Sequence, residues 1–291
     1  MPVVVTGASG LIGRAAVAAF ARVSPEVRAY VRRPEAVDPL RELGAKVAVG
    51  DIDDVDTLAT VMRGAHTVCH LVGSLDLPDE EAYVRDNVGS TRAVLDAADG
   101  AKVARFLFVS YPGAAPEATN AYLRGKGLAE QEISSASLEH AIIRCTHVYG
   151  SGSSWLLESR KAARAWPPVV LGSGHQVIAP VHVDDVAAAL AAADDRTQPT
   201  SGTWALEGPD RITADGFADL LAGRHRHKLH LSGQRARRLA RLTGRRLSAT
   251  LLEILEGDSL ADAPDAAAEF GIARTPLREG LERALGALLE R

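Results

Sequence analysis

Residues 3–14 read Val3-Val4-Val5-Thr6-Gly7-Ala8-Ser9-Gly10-Leu11-Ile12-Gly13-Arg14, and this stretch decides the fold. A short β-branched run, Val3–Thr6, breaks into glycines at positions 7, 10 and 13, and these open a helical run, Leu11–Phe20. The spacing has a physical reason. The first glycine permits a tight turn, the second lets a pyrophosphate approach the backbone, and the third lets helix and strand pack closely. Amides at the helix N-terminus then face the phosphates. The stretch predicts a dinucleotide-binding strand–turn–helix unit, with Thr6, Gly7, Ser9, Gly10, Leu11, Ile12, Gly13 and Arg14 around the ligand.

Outward from that unit the alternation repeats. Strand-like runs at Val27–Val31, Lys46–Val49, Thr67–Val72, Arg105–Ser110 and Ala141–Arg144 alternate with helical periodicity near Leu40, over Thr57–Met62, around Tyr83–Ala98 and from about Tyr122. This pattern predicts an α/β fold, a doubly wound parallel sheet of the Rossmann type with helices on both faces. Gly44, Gly64 and Gly100 each follow a helical run, where a left-handed C-terminal residue fits. After Gly150 the alternation stops, and Ser151–Ser154 and Trp166-Pro167-Pro168 punctuate the chain as loops. A further unit, Val177–Val183 followed by Asp185–Ala193, is expected to rejoin the sheet. The expected organisation is a nucleotide-binding domain over 1–150 with 176–206 returning to its sheet. A small, mainly helical C-terminal lobe would comprise 151–175 and 207–291.

Composition narrows the class. With 291 residues, 46% of them hydrophobic, 24% charged, and a net charge of −4, the chain has the make-up of an ordinary globular protein with a full core. No basic leader precedes the glycine loop, and no apolar run is long enough to cross a bilayer. Cys69 and Cys145 are too few for a disulfide framework and lack metal-ligand spacing, so they read as buried thiols in a reducing, cytoplasmic compartment. His66 and His70 flank the fourth strand without a metal-ligand set, and no metal is expected.

The end of the second strand selects the cofactor. An acidic residue there would accept hydrogen bonds from the adenosine ribose, but the sequence reads Tyr30-Val31-Arg32-Arg33-Pro34. A guanidinium forks onto a 2′-phosphate, and Arg14 adds a cation nearby, so NADP(H) is expected. Asp51-Ile52, ending the third strand, either meets the adenine or caps the next helix. Leu71, Val72 and Gly73, ending the fourth strand, are placed along the cofactor.

A second constellation is Tyr122-Leu123-Arg124-Gly125-Lys126, preceded by Ser110 at a strand end. Residues four apart share one helical face, so the Lys126 ammonium can lower the Tyr122 phenol pKa by Coulomb attraction. Gly125 and Gly127 each cost a helix about 1 kcal/mol relative to alanine, which calls for a close approach, such as that of the cofactor.

These residues, with Asn87-Val88-Gly89-Ser90-Thr91, Arg144-Cys145-Thr146-His147-Val148-Tyr149-Gly150, Pro180-Val181-His182-Val183-Asp184-Asp185 and Thr275-Pro276-Leu277, resemble landmarks of the extended and atypical short-chain dehydrogenases/reductases. The resemblance implies Tyr122 as acid/base, Lys126 as its partner, Ser110 as the hydroxyl orienting a carbonyl, and Asn87 near the site. It places Cys145, Thr146 and His147 along the nicotinamide. Ser110 is followed by Tyr111-Pro112-Gly113 rather than a second serine, the interval to Tyr122 is short, and Cys145 stands where proline is usual. These departures resemble the atypical branch, which includes NADPH reductases, a complex I accessory subunit and NmrA-like regulators.

The expected activity is NADPH-dependent reduction of a carbonyl on a small organic molecule, such as a polyketide ketone. The alternatives are an NADP(H)-binding redox sensor or assembly factor without turnover, and a sugar-nucleotide epimerase or dehydratase. The basic stretch Arg224–Arg246 is followed by Glu253, Glu256, Asp258, Asp262, Asp265 and Glu269, which suggests a mutually compensating surface rather than a nucleic-acid site. Trp155 and Trp166 either wall a substrate pocket or fill the core, and His147 and His182 either relay a proton or serve structure. The partner expected is a small carbonyl substrate, with no nucleic acid and no membrane, and the protein is expected to be a monomer or homodimer.

Overall fold

All four residues of β1 (Val3–Thr6) are buried, as a strand covered on both faces requires. The sheet is built outward from it in a computed structural model that describes residues 1–77, 79–195, 201–242 and 247–286. After β1 come α1 (Leu11–Val23), β2 (Val27–Val31), α2 (Val37–Glu42), β3 (Lys46–Val49), α3 (Val55–Met62), β4 (Thr67–His70), α4 (Glu80–Val84), α5 (Ser90–Gly100), β5 (Arg105–Ser110), α6 (Ala121–Ser135) and β6 (Glu139–Cys145). The second part runs β7 (Val148–Tyr149), α7 (Ser154–Arg164), β8 (Val169–Leu171), β9 (Val177–Ile178), β10 (Val181–His182), α8 (Val183–Asp194), β11 (Gly202–Leu206), β12 (Ile212–Thr213), α9 (Ala214–Ala222), β13 (Leu229–Leu231), α10 (Gly233–Leu242), α11 (Ala249–Glu256), α12 (Ala266–Phe270) and α13 (Leu277–Leu285).

Seven strands lie in the order β11-β6-β5-β4-β1-β2-β3, and every neighbouring pair is parallel. Val3 stands opposite Val27 on one side and Thr67 on the other. The order reverses between β1 and β4, so a crevice opens at their C-terminal ends, where ligands of doubly wound sheets bind. Successive side chains of β1 serve opposite cores. Val3 and Val5 pack with Phe20 of α1 and Leu190 of α8, while Val4 packs with Leu58 of α3, Val94 of α5 and Ile133 of α6. The expected fold class is therefore the observed one.

Three local expectations are corrected. Val177–Val183 does not rejoin the sheet: Pro180, without an amide hydrogen, splits it into β9, which pairs with β12, and β10, which pairs with β7. The return is made by β11, paired with β6, while α8 packs on the α1 side of the sheet. Gly100 closes α5 without a left-handed conformation, which falls instead to Lys102 at φ 57°. The long helix around Tyr83–Ala98 is interrupted by a π-helical turn at Arg85–Gly89.

Beyond β6 a separate core gathers Tyr149, Leu156, Val170, Phe217, Leu221, Leu277 and Leu281. Residues 243–246 and 287–291 of the expected lobe lie outside the described residues, including Arg245 and Arg246 of the basic stretch. Cys69 and Cys145 are free and buried. Among the described residues no helix is long and apolar enough to cross a membrane.

Candidate active site

The glycine loop is fixed by space. Gly7 adopts φ +69°, and a Cβ there would lie 2.6 Å from the carbonyl carbon of Leu71; a Cβ on Gly13 would collide with the Gly7 carbonyl oxygen. The Gly10 amide donates to that same oxygen at 3.1 Å, and Gly10 is the N-cap of α1, with no side chain capping the first amides. Ser9 and Gly10 are exposed, and Leu11 and Ile12 are half-buried, so the first turn of a 13-residue helix offers free donors to an anion. Thr6 turns inward, with its Oγ1 2.7 Å from Nδ1 of His70. Arg14 donates to the Ser9 carbonyl at 2.6 Å and so braces the loop.

At the end of β2, Arg32 and Arg33 are exposed and form no ion pair among the described residues. The helix-cap reading of Asp51 does not hold, because Asp54 caps α3 through Thr57. Asp51 instead accepts from the Asp53 amide at 3.2 Å, and Tyr30 Oη donates to the Asp51 carbonyl at 2.8 Å. Ile52 packs against the core beneath α3.

At the other end of the crevice the building material is side chains. Ser110 closes β5 with its Oγ buried and without a hydrogen-bond partner among the described residues. Asn120 caps α6 by accepting from the amides of Tyr122 (3.1 Å) and Leu123 (3.3 Å), which fixes where the tyrosine enters. Lys126 donates to the Val109 carbonyl at 3.0 Å, and its Nζ lies 4.4 Å from the Phe108 ring centroid and 6.0 Å from that of Tyr122. A Cβ on Gly73 would lie 3.0 Å from Asn87 Oδ1 and 3.3 Å from Lys126 Nζ, so the Leu71–Gly73 segment, Asn87 and Lys126 converge. Asn87 donates to the Tyr83 carbonyl at 2.9 Å, but its Oδ1 is buried and has no partner among the described residues. Its place in the π turn fits the tendency of such turns to occur at functional sites.

The charge states differ from expectation. Burial pulls Lys126 down to about 8. Burial, then the neighbouring Tyr111, Cys145 and Tyr83, push the Tyr122 phenol well above its ordinary value. Desolvation thus outweighs any lowering by the ammonium, and Tyr122 keeps its proton firmly. The two helix glycines also answer to the chain's own backbone: a Cβ on Gly125 would lie 3.2 Å from the Tyr83 carbonyl oxygen, and one on Gly127 would collide with the backbone of Ala115.

Sequence reasoning missed Tyr111. Its hydroxyl lies 3.0 Å from Nδ1 of His147 and 2.8 Å from Oγ of Ser259, and its ring is 5.9 Å from that of Tyr122. Tyr83 approaches Tyr122 to 6.2 Å, and Ile254 of α11 completes the cluster. The one available signal was the odd residue after Ser110, which read as a departure rather than a contributor. His147 is held neutral by burial, down to about 4, and lies 4.8 Å from Trp155, which stacks on Phe217 at 5.2 Å. Of the segment after Arg144, His147 hydrogen-bonds Tyr111 and Cys145 neighbours Tyr122. Cys145 is a buried thiol pushed up to about 12, and Thr146 donates to the Ala179 carbonyl at 2.5 Å. His182 is structural, accepting from the Asp184 amide to cap α8. Trp166 is 90% exposed and so is not part of the core.

Among the described residues, five carboxylates of the acidic stretch find partners other than the arginines of the basic one. Glu253 accepts from Asn120, Glu256 from the Gly233 amide, Asp258 from the Val177 amide, Asp262 from Gly113 and Arg144, and Asp265 from Ala267 and Arg274. These carboxylates tie the lobe to itself and to the sheet.

Comparison with known proteins agrees with this geometry. Residues 7–195 match a family described as NAD(P)H-binding. A ceramide reductase of Caulobacter vibrioides is 31% identical over 190 residues, 65% of this chain and 60% of that protein. Subunit 9 of the NADH dehydrogenase [ubiquinone] 1 alpha subcomplex of Arabidopsis thaliana is 28% identical over 233 residues, 75% of this chain and 56% of that protein. A 4-hydroxy-2-methyl-3-oxo-4-farnesyl-3,4-dihydroquinoline-1-oxide ketoreductase of Stigmatella aurantiaca is 35% identical over 107 residues, 36% of this chain and 32% of that protein. The chain thus spans about 60% or less of the length of these relatives. The fold is shared with a Citrobacter triphenylmethane reductase in complex with NADP(H), at TM-score 0.79, 18% identity, and coverage of 98% and 100%. It is shared too with an NADPH-dependent quinone oxidoreductase of Escherichia coli, at TM-score 0.78, 21% identity, and coverage of 96% and 98%. With a dinucleotide loop at one end of its crevice and a buried tyrosine–lysine pair at the other, the chain belongs to the NAD(P)H-binding family.

Proposed function

We propose that this protein is an NADPH-dependent reductase of a carbonyl on a small, largely apolar organic molecule, working in the cytoplasm as a monomer or homodimer. One observation carries the reading. Tyr122 and Lys126 are buried together at a crevice whose lining leaves two polar atoms, Ser110 Oγ and Asn87 Oδ1, without partners among the described residues. Buried orphans of this kind cost a protein free energy unless a ligand satisfies them. The residues fit a nicotinamide dinucleotide: uncapped amides of α1 for its pyrophosphate, Arg32 and Arg33 for a 2′-phosphate, and Asn87 and Lys126 for the ribose side.

When bound, the cofactor supplies hydride to the carbonyl carbon. The chain supplies the rest. Ser110 Oγ donates a hydrogen bond that orients the carbonyl oxygen, and Tyr122 Oη hands its proton to that oxygen as negative charge develops. Its raised pKa keeps this proton in place until then. Lys126, anchored on the Val109 carbonyl, sets a positive charge beside the phenolate that remains. The rings of Tyr83, Tyr111 and Tyr122 with Ile254 exclude water and suit an apolar substrate body. Similarity to a ceramide reductase and to a ketoreductase of a farnesylated quinoline supports that substrate class.

Tyr122→Phe tests the reading. We expect kcat with NADPH and a reducible ketone to fall about 10²–10⁴-fold, with NADPH affinity unchanged. Wild-type turnover in this variant would remove Tyr122 from the chemistry. Similarity to a complex I subunit favours a second reading, a cofactor-binding assembly protein, for which NADPH would bind but no carbonyl in a broad panel would be turned over repeatedly.

A further inference from the structure

We propose that the outer face of α10 docks the protein onto an anionic lipid surface. The helix reads Gly233-Gln234-Arg235-Ala236-Arg237-Arg238-Leu239-Ala240-Arg241-Leu242. Its inner side, Gly233 and Ala236, is buried, and Gly233 lies against Leu252 and Glu256 of α11. Its outer side carries Leu239 at 50% and Leu242 at 83% exposure, interleaved with Arg235, Arg238 and Arg241. Among the described residues none of these three arginines, nor Arg237, forms an ion pair; of the carboxylates that follow in sequence, Glu256 accepts from the Gly233 amide on the inner side of the helix, and Glu253, Asp258 and Asp262 are engaged elsewhere. No acidic residue occurs between Arg224 and Arg246, although the chain as a whole carries a net charge of −4. The adjoining β13 adds Leu229, 45% exposed, and the segment before β8 adds Trp166, over whose ring the Arg226 guanidinium stands at 5.4 Å.

A solvated ion-pair surface needs neither exposed leucines nor an exposed tryptophan, and a phosphate-tracking nucleic-acid face would not gain from them. A lipid interface uses both: apolar side chains enter the acyl boundary while arginine stems extend to the headgroup phosphates. The charge complement is therefore an anionic bilayer, in departure from the sequence expectation of no membrane partner. The proposal stands apart from the reductase reading, since it concerns where the protein sits and not what it converts.

Flotation of the full chain with phosphatidylcholine vesicles, alone or doped with phosphatidylglycerol, tests it. Binding should require the anionic lipid and weaken with salt. Arg235→Glu with Arg238→Glu should weaken it by roughly tenfold or more, since each cation near the surface counts. Leu239→Ser with Leu242→Ser should weaken it as well, and both pairs of substitutions lie on exposed positions, so thermal melting should be unchanged. Absence of binding to doped vesicles overturns the proposal, as does binding that survives either double variant. Binding to RNA or heparin that is indifferent to the leucine pair, with no lipid binding, would assign the face to a polyanion instead.

Discussion

Around Gly7–Gly13 the protein offers backbone, and around Ser110, Tyr122 and Lys126 it offers buried side chains. The first end tolerates no added volume at Gly7 or Gly13 and offers a ligand amides that do not titrate. The second tolerates its polar groups only by perturbing them: Lys126 is drawn down, Tyr122 pushed up, and Ser110 Oγ and Asn87 Oδ1 are left without hydrogen-bond partners among the described residues. Anion binding can thus be delegated to the main chain, whereas proton handling requires side chains taken out of water.

The sharpest break of that contrast is Gly13→Val. Its side chain would meet the Gly7 carbonyl, and overpacking of about 1–3 kcal/mol should weaken NADPH binding by up to about 100-fold in a fluorescence titration. Unchanged affinity would mean that the loop is not the phosphate cradle. Gly127→Ala, crowding Ala115, should lower the melting temperature while leaving the cofactor affinity of the folded protein intact.

Acid separates the two ends next. His147 is buried and neutral, with its folded value near 4 against about 6.5 in the unfolded chain. Its contribution is fully present above pH 6.5 and drains away as pH falls toward 4, approaching ~3 kcal/mol. His70, near 3, extends the loss to lower pH. Melting curves across this window should show the decline, and His147→Gln should flatten it.

Arg32→Ala should cut the preference for NADPH over NADH by about tenfold, the worth of one charge-assisted contact, and leave the NADH affinity alone. Equal loss for both cofactors would place the guanidinium elsewhere than at a 2′-phosphate. The smallest effect belongs to the cap of α6. Asn120→Ala should cost about 1 kcal/mol of stability and raise KM more than it lowers kcat, because it loosens the entry of Tyr122 and frees Glu253 of α11.

The glycine end was legible in the sequence because its logic is local: strand, turn and helix are consecutive from Val3 to Val23, and each glycine answers to a neighbour close in the chain or to the next strand. The parallel sheet followed from the same periodicity. The tyrosine end was legible only where spacing encodes contact, as in Tyr122 and Lys126. Tyr111, His147 and Ser259 meet across 36 and 148 residues, and no local pattern announces such a meeting. The split of Val177–Val183 was hidden for a related reason, since two-residue strands leave almost no periodic trace, and the return through β11 depended on its pairing with β6. The lowering of Tyr122 by Lys126 was a Coulomb argument made without the burial that overrides it.

The stack of Trp155 on Phe217, with His147 against the Trp155 ring, gives the tyrosine end an optical reporter of its own. Trp155 is half-buried among rings, Trp204 leans on Phe270, and Trp166 stands in water, so the three indoles sample three different polarities. Shorter-wavelength emission belongs to the first two and longer-wavelength emission to the third. A molecule settling beside Tyr111 and His147 would alter the short-wavelength component, while an event at the outer lobe would alter the long-wavelength one. Occupancy of the crevice and contact at the surface can therefore be followed in one cuvette, without a label.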